Sequence, residues 1–282
     1  MSREARPGGF GSSGGGGVLG SLILLALGLV VLVSALWFAI NAGARYALPL
    51  IPKEWDQTVG EYAMKSMVNE DNPCADSEMM RWLERVGPML VAQVEGEAFP
   101  YRWHVIADET PNAFALPGGW VGVHTGLFKL AKRPEEVASV VAHEIIHAEQ
   151  RHGMRRMLGA LGTQLATALI FGGTDLALFA DQGMRLLMLK HSREQEEEAD
   201  RMGRVLMVDA GIDPEGMATM FEALGAQGPQ AKGLAAWFST HPDTQARAAT
   251  ARAGERPYQP VELPALPSAE CSNSAKPDSP QP

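Results

Sequence analysis

The chain has 282 residues, with 24 Lys and Arg set against 33 Asp and Glu, a formal net charge of -9 and 46% hydrophobic residues. That is enough chain for one large domain with a sizeable core. The acidic balance, with no basic stretch, excludes a nucleic-acid backbone as partner, and the lack of a fixed-period repeat excludes solenoids and propellers.

Residues 1–17 form a Gly/Ser-rich arm that carries Arg3 and Arg6. From Val18 to Ile40 the chain is an uncharged apolar run of 23 residues, which as a helix rises about 34 Å and spans a bilayer. A cleaved signal peptide is the competing reading, with Ala42-Gly43-Ala44 as the small-x-small site. The run is longer than the roughly 7 to 15 apolar residues of a signal, so the expectation is a retained anchor at 18–40. The two arginines before it favour a cytoplasmic N-terminus, with the rest of the chain on the far side; Arg45 and Lys53 at the other end weaken that bias.

Residues 46–253 carry the expected folded domain. Asn72-Pro73 breaks the chain, and Asp76 to Val94 has helical apolar spacing. Tyr101 to Ala107 is β-rich, and Asn112 to Leu127 reads as strand, Pro117-Gly118-Gly119 turn and strand, a hairpin. Pro134, followed by Glu135 and Glu136, opens a helix expected to run to about His152 and stop at Gly153. Further helices fit Arg193 to Ala210 and Pro214 to Leu224, the latter with an Asp213 cap. Ahead of these two helices, Met157 to Leu189 is mostly apolar but too short for two membrane crossings. It reads as two short helices divided at Gly172-Gly173, covering a cleft, lying on a bilayer surface or packing into the core. Residues 254–282, rich in Pro, read as an extended, disordered tail. The two cysteines, Cys74 and Cys271, cannot make a four-thiolate zinc site; they are either a disulfide stapling the tail to the domain or two free thiols.

The chemistry concentrates in His143-Glu144-Ile145-Ile146-His147. Residues four apart differ by about 40° around a helix, so both imidazoles can reach one zinc ion, while Glu144, about 100° round, can address water beside it. The alternative is a surface helix with two solvated histidines, which the apolar flanks Val140 to Ala142 disfavour. A zinc hydrolase needs a third protein ligand and an open position. In the acidic run Glu194 to Asp200, part of which must be a solvated face, Glu196 can bind the metal while Asp200, one turn on, reaches a ligand histidine and holds its other ring nitrogen.

These residues resemble an M48-type metalloendopeptidase. The matching segments, in order over most of Tyr46 to Ala253, are Asn112 to Leu127, His143 to His147 with Arg151-His152, Ser192-Arg193 with Glu196, Glu198, Ala199 and Asp200, and Thr240-His241-Pro242 with Arg247. The resemblance implies an α+β, mostly helical metallopeptidase domain with a small sheet. It also implies one zinc per chain on His143, His147 and Glu196, Glu144 as catalytic base, and Asp200 as an active-site acid instead of an orienter. It further implies membrane-anchored bacterial protein quality control; with the arginine bias, the expectation is a bacterial inner-membrane protein whose catalytic domain faces the periplasm.

Asn112, Ala113, Phe114 and Ala115 are the expected substrate-binding residues: an edge strand beside the active-site helix offers unpaired N–H and C=O groups to which an extended polypeptide can add. A plain structural hairpin is the alternative. His241 reads as a fourth ligand, a transition-state hydrogen-bond donor or a structural histidine, and His104, His124, His152 and His191 read as structural. Two rival functions remain. One is a noncatalytic, zinc-stabilised chaperone or assembly factor, which would have no use for Glu144; the other is a prenyl-protein protease, which would need more spans.

Overall fold

The computed structural model describes residues 15–68, 72–171, 190–227, 241, 244–251 and 257–271. Arg3, Arg6, Gly172-Gly173, Thr240 and Pro242, with the whole of the expected second short helix, lie outside the described residues.

Helix α1 (Gly15–Ala47) contains the stretch Gly20–Ala39, with a mean hydropathy of 2.8 and none of it buried. Among the described residues it is the one helix long and apolar enough to cross a membrane. A 3-10 turn at Leu48–Leu50 leads into α2 (Lys53–Met67). Gly60 lets α2 press on the hairpin turn: a Cβ there would sit 1.9 Å from the Pro117 carbonyl oxygen. Helix α3 (Glu78–Val91) begins where the Ser77 hydroxyl accepts the Met80 N–H.

The sheet has three strands, β1 (Arg102–Ile106), β2 (Ala113–Leu116) and β3 (Trp120–His124), in the order β1-β3-β2. Strand β1 runs parallel to β3 and pairs Arg102 with Trp120, whereas β2 is antiparallel and pairs Ala113 with Val123. The hairpin turn uses Gly118 and Gly119 at φ of +79° and +85°, a backbone region open to glycine. Strand β2 is therefore an edge, as expected.

After α4 (Thr125–Leu130) comes the central helix α5 (Pro134–Glu149), buried at every residue from Glu136 to Ala148. Its first turn is closed by Glu136, whose carboxylate accepts the N–H groups of Lys132 and Arg133. The helix stops earlier than its sequence suggests. Arg151 adopts a left-handed conformation at φ 51°, and a new helix, α6 (His152–Phe171), starts directly after it. The cause is distant in sequence: the Arg151 guanidinium donates to buried Asp56 at 3.0 Å and to the Leu48 carbonyl at 2.8 Å, and this grip fixes the unusual turn.

Helices α7 (Arg193–Asp209), α8 (Glu215–Gln227) and α9 (Thr244–Ala251) complete the α+β fold, mostly helical with a small sheet. Helix α5 packs on α7 and α8, and one apolar core joins these to α3 and the sheet. The Pro-rich segment 257–271 forms neither helix nor strand, yet it is not loose. Val261 donates to the Gly211 carbonyl, Trp82 donates to Pro264, Leu263 is buried, and Cys271 is bonded to Cys74. Proline prevents a regular element here but does not prevent a strap that uses groups the domain supplies.

Candidate functional site

One turn of α5 presents two imidazoles side by side, with His143 Nε2 and His147 Nε2 2.9 Å apart. Helix α7 brings Glu196 opposite them: Oε1 is 3.3 Å from His147 Nε2 and Oε2 is 3.7 Å from His143 Nε2. His241 arrives from the far side of the chain, its Nδ1 3.1 Å from both Glu196 oxygens and 3.4 Å from His143 Nε2. All four side chains are buried, and their donor atoms lie within 4.8 Å of one another.

The elements leave little freedom in this arrangement. Gly203, on the same α7 face, lets that helix approach the α5 backbone, since a Cβ there would lie 3.2 Å from the His143 backbone nitrogen. Asp200, one turn beyond Glu196, places Oδ1 2.9 Å from His143 Nδ1, the nitrogen turned away from the cluster. This is the position expected of a carboxylate that orients the His143 ring. Arg247 on α9 locks it there with two 2.7 Å bonds to the Asp200 oxygens, and also donates to Glu196 Oε2. Its guanidinium lies over the Phe221 ring at 4.5 Å.

Electrostatics follow from this packing. Burial opposes the charge on Glu196, but His241, His147 and His143 outweigh it and hold the carboxyl well below its usual range. Burial likewise opposes the charge on Asp200, while hydrogen bonds from His143 and Arg247 lower it. His147 is held well below the ordinary imidazole value by burial and by His143, so its ring is neutral. Burial also opposes protonation of His143, but Asp200 and Glu196 override it and raise that ring. Neutral His147 beside ionised Glu196 is thus already in the protonation state a metal requires, whereas His143 must release its proton to bind one.

Glu144 supplies the test of fit. Its Oε1 is buried, has no hydrogen-bond partner among the described residues, and lies 3.4 Å from His241 Nε2. A buried carboxylate oxygen that accepts no hydrogen bond is costly. Beside three imidazoles and a second carboxylate, it fits a site built for a borderline-soft divalent ion and a water molecule. The residues present therefore suit a metal.

The expected substrate strand lies at the sheet edge against α5. The Asn112 carbonyl accepts the His124 N–H at 2.9 Å, Ala113 is buried, Phe114 covers Gly122, and Ala115 packs on the core. Among the described residues no strand pairs with the outer side of β2.

Two histidines assigned by sequence to structural roles stand beside the cluster. His152 Nδ1 is 2.7 Å from His147 Nδ1, and the His191 ring stacks on His147 with centroids 3.7 Å apart. Burial with the cations of Arg155 and Arg156 pushes His152 down to about 3. Helical spacing turns His152 away from His147 only if the helix is continuous, and the break at Arg151 reverses that. His104 and His124 lie on the sheet, as expected.

Comparison with known proteins adds an independent finding. The model of peptidase family M48 matches residues 77–255, more than half of the chain. The beta-barrel assembly-enhancing protease of Escherichia coli (strain K12) is 29% identical over 218 residues, covering 73% of this chain and 45% of that protein. Mitochondrial metalloendopeptidase OMA1 of Schizosaccharomyces pombe is 34% identical over 171 residues, 59% of this chain and 50% of that one. Metalloprotease LoiP of Escherichia coli (strain K12) is 31% identical over 182 residues, 62% and 69% respectively. The chain thus spans about half the length of the first two relatives or less.

Proposed function

The chain belongs to peptidase family M48, and from that premise we propose that it is a membrane-anchored zinc endopeptidase acting on misfolded or envelope proteins. The observation that carries the reading is the meeting of His143, His147 and Glu196, from two helices far apart in sequence, beside a buried Glu144 oxygen that accepts no hydrogen bond among the described residues.

His143 Nε2, His147 Nε2 and the Glu196 carboxylate would hold one zinc ion per chain. When bound, such an ion polarises a carbonyl and makes water more acidic. The protein's own part is proton transfer and placement. Glu144 Oε1 accepts a proton from the attacking water and returns it to the leaving amine, as a general base and then a general acid. Asp200 and Arg247 keep the His143 ring and Glu196 in position. The approach of His241 to Glu196 supports a fourth donor at rest, and its 3.4 Å separation from Glu144 supports later donation to the reacting carbonyl oxygen.

Substrate would add to the outer side of β2 along Asn112 to Ala115, where main-chain bonding is indifferent to most side chains. That suits unfolded polypeptides. Helix α1 supports a single-span anchor, and Arg3 and Arg6 ahead of it support a bacterial inner-membrane orientation with the domain in the periplasm. The Cys74–Cys271 bond favours the same oxidising side.

Casein cleavage by the full-length chain tests the reading. Glu144→Gln is expected to retain zinc and to lose roughly 10²-fold or more of the activity, the usual scale for a general base. Equal cleavage by that variant would remove Glu144 from the mechanism.

A further inference from the structure

The two ligand imidazoles are held from behind in different ways. Asp200 meets His143 Nδ1 directly at 2.9 Å. His147 Nδ1 instead faces His152 Nδ1 at 2.7 Å, and the other nitrogen of that second ring, Nε2, lies 3.2 Å from Glu198 Oε2. His152 is fully buried, delivered to this place by the left-handed turn at Arg151.

The protons along this line can be assigned from its outer end. With the carboxylate oxygen as acceptor, His152 carries its proton on Nε2 and donates to Glu198. Its Nδ1 is then a lone pair, and the bond between the two Nδ1 atoms must be donated by His147. That leaves the lone pair of His147 on Nε2, the atom 3.3 Å from Glu196 and turned to the cluster.

We propose that Glu198 and His152 form a positioning relay that fixes the His147 imidazole in the tautomer and orientation required of a metal ligand. The inference rests on the reading of His147 as a ligand. It gives that ring the support Asp200 gives His143, lengthened by one imidazole. A different reading of the same residues is a second ion held by His147, His152 and His191, whose donor atoms also lie within 4.8 Å of one another. Against it stands Arg156, whose Nη1 is 2.7 Å from His191 Nε2 and puts a fixed positive charge where the second cation would sit.

The test is zinc affinity, measured on the full-length chain in detergent by competition with a chromophoric chelator, with circular dichroism as the check on folding. His152→Leu is expected to weaken zinc binding by about 10- to 100-fold, the scale for lost outer partners of a ligand. His152→Gln, whose amide oxygen can accept the same bond, is expected to recover most of that loss, and Glu198→Ala to fall between. A folded His152→Leu chain that binds zinc within twofold of wild type overturns the relay. So does a His152→Gln chain as weak as His152→Leu, which would make packing the cause. Should His152→Leu fail to fold, Glu198→Ala decides: that side chain is one-third exposed, and unchanged affinity there also overturns the relay. Two ions in wild type, with one lost in His152→Leu, would make His152 a ligand and overturn it as well. Wild-type chain that binds no zinc sinks the metal reading itself, a result distinct from wild type and variants binding alike.

Discussion

Helices α1 and α5 are both apolar around most of their circumference, yet their environments are opposite. In α1 the large side chains from Leu22 to Val33 are 52–71% exposed, whereas in α5 every residue from Glu136 to Ala148 is buried. Such a helix has two stable settings, a protein core or a membrane. The ionisable residues distinguish them. Between Gly20 and Ala39, α1 has none, while α5 buries His143, Glu144 and His147. A core can tolerate those groups because neighbouring helices bring counter-charges, and the unburied stretch Gly20–Ala39 has none to satisfy.

Substitutions can break this contrast. The largest expected effect is on the counter-charges: Arg247→Leu leaves Asp200 buried without its guanidinium and should cost the metal-free protein about 3–5 kcal/mol. Denaturant unfolding in detergent measures it, and a loss below about 1 kcal/mol would mean the carboxylates do not depend on that cation. Somewhat smaller is the core deletion Ile145→Ala in α5, expected to cost about 2–5 kcal/mol by leaving a cavity. The smallest effect sharpens the comparison from the other side. Leu25→Ala in α1, at a side chain 71% exposed, should leave unfolding of the catalytic domain unchanged within about 0.5 kcal/mol. Comparable losses for Ile145→Ala and Leu25→Ala would place both helices in one core.

What the sequence made legible was local. The spacing of His143 and His147, the one-turn offset of Glu196 and Asp200, the Pro117-Gly118-Gly119 turn and the uncharged run of α1 are each written within a few residues, and each appears where the spacing puts it. The features that escaped depend on partners far along the chain. His152 comes back to His147 because Arg151 is gripped by Asp56, 95 positions earlier. Arg247 clamps Asp200 from 47 positions away, and the Pro-rich strap is held by Trp82 and Gly211 in addition to the Cys74 bond that the sequence offered as one of two readings. Periodicity carries no information about such contacts, because long-range packing decides them.

Zinc content of the purified full-length chain, compared among wild type, His143→Ala, His147→Ala and Glu196→Ala, tests the central claim most directly. One zinc per wild-type chain, lost from each of the three variants while circular dichroism still reports a folded helical protein, is the predicted result. Stoichiometric zinc in a folded Glu196→Ala chain, or none in wild type after zinc loading, would contradict it.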